Sequence, residues 1–187
     1  MTIEALYPTP LYYGFVDNFK KIQSEIDSCI DNIPFKMKAW GSTSYLYPTP
    51  FQENILDTHE LGSLSQEIHK HLMQYCVQLK FRMTSYDVLS WFTKCERSNY
   101  AHVHNHGFTD ISGVYYYKTS GEDGDIFFNS PNPFLDTTKC YANVQPSWTH
   151  KPSEGKILLF PGWLRHGVAT NETDSTRISI SFNIYFQ

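Results

Sequence analysis

The feature that most constrains the fold of this chain is a change in its hydrophobic pattern near Phe81. Before that point apolar residues recur at helical spacing, and after it they form short runs rich in Val, Ile, Tyr and Phe. Gly, Pro, Asn and Asp separate these runs, which is typical of antiparallel strands in a sandwich or barrel. Because the helices come first and the strands later, the pattern predicts an α+β fold that is mostly β, with the N-terminal helices packed on one sheet.

The N-terminal part of the chain predicts two helices. The first is expected from Phe19 to Ile33, where Pro34 ends it, and the second from about Thr58 to Phe81. Apolar residues recur along both segments at intervals of three and four, which places them on one face of each helix. These faces are expected to pack against the core rather than to carry function.

Seven strands are expected in the remainder of the chain. Each predicted strand is short and contains β-branched or aromatic residues, as half-buried strands do. The predicted strands span Asp87–Lys94, Ser98–Asn105, Ile111–Lys118, Asp125–Phe128, Cys140–Val144, Lys156–Phe160 and Arg177–Phe186.

Length and composition narrow the classes of protein to which the chain can belong. A chain of 187 residues is large enough for one domain with a full core and too small for two ordinary ones. The net charge of −4 argues against a nucleic-acid partner, which would require a surplus of basic residues. The four Cys residues are widely spaced and form no C-x-x-C pair, which argues against a zinc ribbon or a disulfide framework.

The ends and the apolar runs bear on where the protein acts. The N-terminal segment has no pattern of a signal peptide, and no apolar run approaches the ~20 residues that a membrane span needs. A cytoplasmic protein without a membrane partner is therefore expected. The sequence leaves the oligomeric state open, with a homodimer as one arrangement.

Three of the eight histidines fall within five residues, at His102, His104 and His106. In a strand, residues i, i+2 and i+4 share one face. Same-face neighbours lie about 6.6 Å apart, so two adjacent imidazoles can tilt toward one ion at about 2.1 Å. His102 and His106 are twice as far apart, so one adjacent pair with a distant ligand is expected. The spacing leaves open which pair it is.

Two later segments carry residues that could complete such a site. His166 follows an apolar strand and a short loop and lies between small and apolar residues, which makes it a candidate for the distant ligand. Farther on, Arg177, Ser179 and Ser181 share one face of a predicted strand whose other face is apolar. Because the planar fork of Arg binds a carboxylate through two hydrogen bonds, this face can present an anion site inside a barrel.

The order of these segments resembles a known family. It is similar to the 2-oxoglutarate and Fe(II)-dependent oxygenases of bacteria and their phages, a branch related to prolyl 4-hydroxylase-like proteins. The likeness covers nearly the whole chain and depends on several blocks together. They are LYPTPL at Leu6–Leu11, the H-x-H pair, ISGVYYY at Ile111–Tyr117, Gly124–Phe127, the block from Leu158 to Val168, and RISISFN at Arg177–Asn183.

The resemblance implies a fold and an organisation. It implies one oxygenase-like domain over residues 1–187, whose core is a double-stranded β-helix, or jelly roll, at residues 82–187. Residues 1–81 are then mainly helical support that braces the larger sheet.

The resemblance also implies site residues. His104 and His106 match the first two metal ligands of the family, and His166 matches the distal one. Arg177 matches the basic residue that pairs with the distal carboxylate of 2-oxoglutarate. Ser179 and Tyr116 are further candidates for contact with that carboxylate, and no catalytic residue beyond the metal ligands is implied.

The chain departs from the wider superfamily at one ligand. Related oxygenases carry Asp or Glu where this chain has His104 or His106, because two His and one carboxylate form the common triad for non-haem Fe(II). The site is therefore either a three-histidine site or one completed by Asp110 from the following loop. His102 is an alternative to one member of the first pair.

The implied activity is that of an Fe(II)- and 2-oxoglutarate-dependent dioxygenase. It would use O2 to hydroxylate an unactivated C–H bond of a peptidyl or small-molecule substrate, with release of succinate and CO2. Residues 41–50 and 129–139 are expected to form the lips of the substrate site. Two alternatives are a non-catalytic jelly-roll binding module and a three-histidine, cupin-like dioxygenase that does not use 2-oxoglutarate.

Overall fold

The computed structural model describes residues 8–35, 37–38, 43–48, 54–132 and 147–187. The helices within these residues are α1 (Phe19–Ile30), α2 (Ile55–Thr58) and α3 (Gly62–Gln78). The strands are β1 (Tyr12–Phe15), β2 (Met37–Lys38), β3 (Tyr45–Tyr47), β4 (Tyr86–Cys95), β5 (Ala101–His104), β6 (Ile111–Lys118), β7 (Ile126–Asn129), β8 (Ser147–His150), β9 (Lys156–Pro161), β10 (His166–Val168) and β11 (Arg177–Phe186).

The strands form two antiparallel sheets that pack on each other. The strand order is β1-β9-β6-β11-β4-β3-β2 in the major sheet and β5-β10-β7-β8 in the minor sheet. β11 lies in the middle of the major sheet and pairs with β4 along all ten of its residues. The predicted mostly β fold is confirmed, and its architecture is that of a double-stranded β-helix.

The two faces of the major sheet carry different apolar clusters. On one face, Ile180 and Phe182 of β11 join a large core with Ile22 of α1 and Ile68 of α3. On the other face, Tyr116 of β6 packs in a smaller cluster with residues of the minor sheet. The helices therefore cover the face of the major sheet that points away from the minor sheet, because successive strand residues point to opposite faces.

The second predicted helix is shorter than its apolar period suggests, since α3 begins at Gly62 and not at Thr58. α2 and α3 are separate, and Glu60 between them has a positive φ of 53°. α3 ends at Gln78 rather than Phe81, and Lys80 has a positive φ of 56°. Left-handed backbone stops the helical hydrogen-bond pattern, whereas a period of apolar residues can continue across the break. In the described part of the chain, no helix is long and apolar enough to cross a membrane.

Several strands of the structure were not predicted from the sequence. β1, β2 and β3 lie in the part of the chain that predicts helices, and they extend both ends of the major sheet. β8 and β10 have four and three residues, which is too short for a readable alternation. The predicted strand Cys140–Val144 lies outside the described residues, as do parts of both expected substrate lips.

Candidate metal centre

Three histidines, two from neighbouring strands and one from the segment after β5, converge on one point. β5 ends at His104 and β10 begins at His166, and these two residues are partners in the antiparallel pairing of the strands. His106 follows two residues after the end of β5. One nitrogen from each ring lies within 4.8 Å of the others. His106 Nε2 lies 3.3 Å from His166 Nε2.

Hydrogen bonds to backbone carbonyl oxygens set the tautomer of two of the three rings. His104 Nδ1 lies 2.7 Å from the carbonyl oxygen of His102, and His166 Nδ1 lies 2.8 Å from that of Leu164. Because a carbonyl oxygen can only accept, Nδ1 carries the proton in both rings and Nε2 keeps its lone pair. The side chain of Asn183 lies near the ring of His106.

Burial keeps two of these imidazoles neutral. The pKa of His166 is lowered to about 3 by burial and, in the same direction, by the neighbouring His104 and His106. The pKa of His106 is lowered to about 4 by burial and by His104, while nearby Asn183 acts in the opposite direction. The ring of Phe160 contributes to the burial of His166, since the two ring centroids are 4.7 Å apart. Neutral imidazole is the form that binds a metal ion.

The donor set fits a divalent transition-metal ion. Three imidazoles that meet at one point are typical ligands for iron, zinc, nickel and copper. The ring centroid of His104 lies 4.5 Å from that of His166 and 5.3 Å from that of His106, which allows the three rings to share one ion. No carboxylate belongs to this cluster in the described part of the chain, so the ligands bring no negative charge.

The two alternative ligands lie apart from this cluster. The ring of His102 is exposed and packs edge-on against Tyr100, with the ring centroids 4.9 Å apart. The Asp110 carboxylate accepts a hydrogen bond from the backbone N–H of Phe186 at 2.8 Å. The structure thus brings His104, His106 and His166 together and leaves His102 and Asp110 outside the group.

Arg177 begins β11 and is buried on the same face of the major sheet as Ser179. Its Nη1 donates to the carbonyl oxygens of Asp123 at 2.7 Å and Gly124 at 2.5 Å. The fully buried carboxylate of Asp123 adds an ion pair, with Oδ1 3.9 Å from Nη1. Among the described residues these contacts use only Nη1, which leaves the other edge of the guanidinium for an anion.

Asp123 and Gly124 form the support of this arginine. Asp123 accepts hydrogen bonds from Thr119 Oγ1 at 2.6 Å and from the backbone N–H of Ser120 at 2.7 Å. Gly124 has a φ of +101°, and a Cβ there would lie 2.4 Å from the carbonyl oxygen of Ala169. The sequence did not predict this role for either residue, because nothing in the local pattern of this turn indicates that Arg177 packs against it.

Ser179 and Tyr116 lie together beside Arg177. They are partners in the pairing of β11 with β6, so their side chains point to the same face. Burial raises the pKa of Tyr116 to about 12, although nearby Arg177 acts in the opposite direction. Its hydroxyl therefore keeps its proton and can donate a hydrogen bond.

Two polar residues near the histidines have no counterpart among the predicted site residues. Asn183 and Ser112 are partners across β11 and β6, and Ser112 Oγ donates to Asn183 Oδ1 at 3.0 Å. The alternation that places Arg177 and Ser179 on one face of β11 continues to Asn183. That signal could have identified Asn183, whereas Ser112 becomes visible only through strand pairing.

A cavity of about 640 Å³ lies elsewhere, on the helix-covered face of the major sheet. Asp27 and Tyr117 lie in its lining, and none of the three histidines does. The candidate site is therefore assigned from the chemistry of its side chains rather than from the size of a cavity.

Comparison with protein families gives one match. The model of the family described as "Putative 2OG-Fe(II) oxygenase" matches residues 89–183, a stretch that includes the three histidines and Arg177. No curated protein matches the chain in sequence.

Solved structures share the fold across nearly the whole chain. A prolyl-4-hydroxylase from Pseudomonas putida has a TM-score of 0.61 at 12% identity, over 97% of this chain and 94% of that one. HygX from Streptomyces hygroscopicus, with nickel, 2-oxoglutarate and hygromycin B bound, has a TM-score of 0.65 at 11% identity, over 94% and 82% of the two chains. A prolyl hydroxylase from Trichoplax adhaerens, in complex with a hypoxia inducible factor peptide fragment, has a TM-score of 0.66 at 10% identity, over 96% and 85%. At these identities the likeness establishes the fold alone.

Proposed function

This chain belongs to the family of 2OG-Fe(II) oxygenases, with Fe(II) as its metal cofactor and 2-oxoglutarate as its cosubstrate, and we propose that it is a hydroxylase. Its substrate is an unactivated C–H bond of a peptide or a small molecule. The observation that carries the proposal is the convergence of three imidazoles, from His104, His106 and His166, on one point. Bound Fe(II) supplies the oxidative chemistry with O2 and 2-oxoglutarate, which leaves as succinate and CO2.

In this proposal the three histidines bind the metal through Nε2. The carbonyl oxygens of His102 and Leu164 hold the protons of His104 and His166 on Nδ1, away from the ion. Such outer partners orient the ligands and fix their tautomers. Because the ligands are neutral, the anionic cosubstrate is the group that compensates the charge of the metal ion.

Arg177, Ser179 and Tyr116 bind the distal carboxylate of 2-oxoglutarate. Asp123 and Gly124 hold Nη1 of Arg177 from behind, so the guanidinium is already oriented before the anion arrives. The hydroxyls of Ser179 and Tyr116 can then donate to the same carboxylate. A charge-assisted, pre-oriented contact of this kind favours an anion strongly in a buried site.

The substrate class is proposed from chemistry and from the relatives together. The Trichoplax adhaerens enzyme is in complex with a peptide fragment, whereas HygX has hygromycin B bound, so the shared fold accepts both classes. Peptidyl and small-molecule substrates therefore both belong in a screen of this protein.

The first test is anaerobic addition of Fe(II) and 2-oxoglutarate to the purified protein. A weak visible charge-transfer band and slow formation of succinate on admission of O2 are the expected results. His166→Ala should lose stoichiometric metal binding, since one of three ligands is removed. The matched control is His69→Ala, because His69 is an exposed histidine on α3 that bonds Tyr86. A wild-type protein with neither band nor succinate would overturn the proposal.

A second test addresses the use of 2-oxoglutarate. Arg177→Ala should weaken 2-oxoglutarate binding strongly while metal binding is retained. An Arg177→Ala protein that binds 2-oxoglutarate as tightly as the wild type would show that the cosubstrate carboxylate is held elsewhere.

A further inference from the structure

We propose that the cavity between α1 and the major sheet is a second binding site, which takes a free amino acid with a large apolar side chain. Its volume of about 640 Å³ lies within the range of ~300–1,000 Å³ that is usual for small-molecule sites. The ammonium group of the amino acid binds at the C-terminal end of α1, and its carboxylate binds at Lys118 of β6. Binding at this site does not depend on the metal centre.

The floor of the cavity is a row of three residues on adjacent strands of the major sheet. Ile178 of β11 pairs with Lys94 of β4 on one side and with Lys118 of β6 on the other. Paired residues point to the same face, so a lysine lies on either side of one apolar side chain. The pairing of β11 with β6 shifts register next to Ile178, and Tyr117 is the extra residue of β6 at this bulge. Both Tyr117 and Lys118 therefore line the cavity, although they are consecutive in the strand.

Two acidic residues at the C-terminal end of α1 form another wall. Asp27 and Asp31 both line the cavity, and residues four positions apart lie on one side of a helix. The helix ends at Ile30, and Asp31 continues its backbone conformation with φ −68° and ψ −22°. A helix C-terminus carries a partial negative charge, and α1 has no basic residue in its last turn to compensate it. This wall therefore attracts a cation and repels an anion.

The charged groups of the lining divide into those with a partner and those without one. Asp27 accepts a hydrogen bond from the hydroxyl of buried Tyr117, and Lys94 already forms an ion pair. Within the described ranges, the side chains of Asp31 and Lys118 have no such partner. The cavity thus offers one free carboxylate on α1 and one free ammonium group on the sheet. A ligand that carries one ammonium and one carboxylate pairs with both, whereas a ligand with a single charge leaves one of them unpaired.

The apolar part of the lining indicates that the amino acid has an apolar side chain. Ile33 and Phe35, which follow α1, line the cavity together with Ile178. Lys94 Nζ lies 5.9 Å from the ring centroid of Phe35, which brings this segment over the floor. Ion pairs between exposed groups contribute little free energy, whereas burial of apolar area contributes in proportion to the area. The apolar side chain therefore supplies most of the affinity, and the two charges supply the selectivity.

The sheet separates this site from the metal centre. Ile178 follows Arg177 in β11, and successive residues of a strand point to opposite faces. The cavity therefore lies behind the strand that carries the residue proposed to bind 2-oxoglutarate. The three histidines of the metal centre are not among the residues that line it.

The test is a ligand-observed NMR titration of the full-length protein with L-phenylalanine. Excess 2-oxoglutarate is present throughout, so that the carboxylate of the probe does not compete for Arg177. Phenethylamine lacks the carboxylate of L-phenylalanine, and 3-phenylpropionate lacks its ammonium group. L-Phenylalanine should bind about 2–5-fold more tightly than either analogue, the range expected for one exposed ion pair.

Two substitutions assign the charges of the ligand to the two walls. Lys118→Met should remove the preference for L-phenylalanine over phenethylamine, and Asp31→Asn should remove the preference over 3-phenylpropionate. Both positions are exposed, so each variant should fold. Lys21→Met and Asp174→Asn are the matched controls, because they change the net charge equally at exposed positions outside the lining. They should retain both preferences.

The proposal is overturned if L-phenylalanine does not bind to the wild type or binds no more tightly than the two analogues. It is also overturned if Lys118→Met and Asp31→Asn keep the wild-type preferences, or if the controls lose them to the same extent. Loss of L-phenylalanine binding in Arg177→Ala alone would place the probe in the cosubstrate site and overturn the proposal as well. None of these results bears on metal binding by the three histidines, which is measured separately.

Discussion

The two faces of the major sheet are built from the same strands and both contain buried residues, yet they differ in chemistry. On the helix-covered face, Ile180 and Phe182 of β11 have no exposed surface. On the face toward the minor sheet, Arg177, Ser179 and Asn183 of the same strand are only 3–5% exposed. Burial alone therefore does not separate core from site in this protein. The two faces differ in whether they bury polar groups, which require hydrogen-bond partners when they are removed from water.

This difference has a consequence for energetics. The helix-covered face gains stability from apolar area, and its side chains can be shortened at a cost set by the cavity left behind. The opposite face buries polar groups that are oriented for ligands. Substitutions in the apolar core of the helix-covered face should therefore change stability, whereas those on the opposite face should change ligand binding.

The largest effect is expected from acid acting on the metal-free protein. Unfolded histidines bind a proton near pH 6.5, whereas the pKa is lowered to about 4 for His106 and about 3 for His166 in the folded state. Between these pH values the unfolded chain binds more protons than the folded protein does. The stability that these neutral histidines contribute is therefore fully present above pH 6.5 and is lost as the pH falls toward 4. Thermal unfolding of chelator-treated protein from pH 7.5 to 4.5 measures this effect as the slope of the melting temperature against pH.

Two controls belong to the acid experiment. His69→Ala should keep the wild-type slope, because His69 is exposed on α3. His166→Gln should reduce it, because one of the histidines with a lowered pKa is removed. A wild-type melting temperature that stays constant over this pH range would contradict the assignment of these histidines as neutral and buried.

Phe182→Ala should cause the largest loss of stability among the single substitutions, about 3–5 kcal/mol, as expected for a fully buried Phe. The Phe182 ring fills the space over Gly113, where an added Cβ would lie 2.3 Å from Cζ. Urea unfolding measures the loss. Metal affinity of the folded fraction should stay unchanged, and a parallel loss of affinity would show that the two faces are energetically coupled.

Gly124→Ala tests the support of Arg177 and should cost about 1–3 kcal/mol, since φ is positive there. Its Cβ would also lie 2.4 Å from the Ala169 carbonyl oxygen and 3.2 Å from Arg177 Nη1, so 2-oxoglutarate affinity should fall as well. Gly121→Ala is the control, because φ is +83° there but the nearest atom is 3.8 Å away. Calorimetric titration with 2-oxoglutarate should be affected by the first substitution only.

The smallest effects come from two adjacent residues on opposite faces of β11. Ser179→Ala should lose one hydrogen bond worth about 0.5–1.5 kcal/mol, which appears as roughly 2–10-fold weaker 2-oxoglutarate binding. Ile180→Val should instead lower the free energy of unfolding by about 0.5–1.5 kcal/mol without changing that affinity. Equal effects of both substitutions on both quantities would break the distinction between the faces.

Much of the fold could be predicted because two strands are long and alternate clearly. β6 and β11 have the bounds that their patterns predict, Ile111–Lys118 and Arg177–Phe186. β10 could not be predicted in the same way, because its three residues have no period and owe their extended form to pairing with β5 and β7. The strands that pair with β10 are distant in sequence, so a local pattern carries no information about them.

The candidate site could be predicted in part for the same reason. Alternation identified His104 as common to either pair of histidines, but it could not choose between His102 and His106. That argument assumes a regular strand as far as His106, whereas β5 ends at His104. The chain then turns, and His106 reaches His166 from outside the ladder.

The sequence alone shows the period of each long element, the polar and apolar faces of β11, a set of candidate metal-binding histidines and the likeness to one oxygenase family. The tertiary structure was needed to show that His166 pairs with His104, that Ser112 donates to Asn183, and that Asp123 supports Arg177. The physical reason is that period and residue type are local properties of the chain. The partner of a buried polar group is chosen by strand register and packing between residues far apart in sequence.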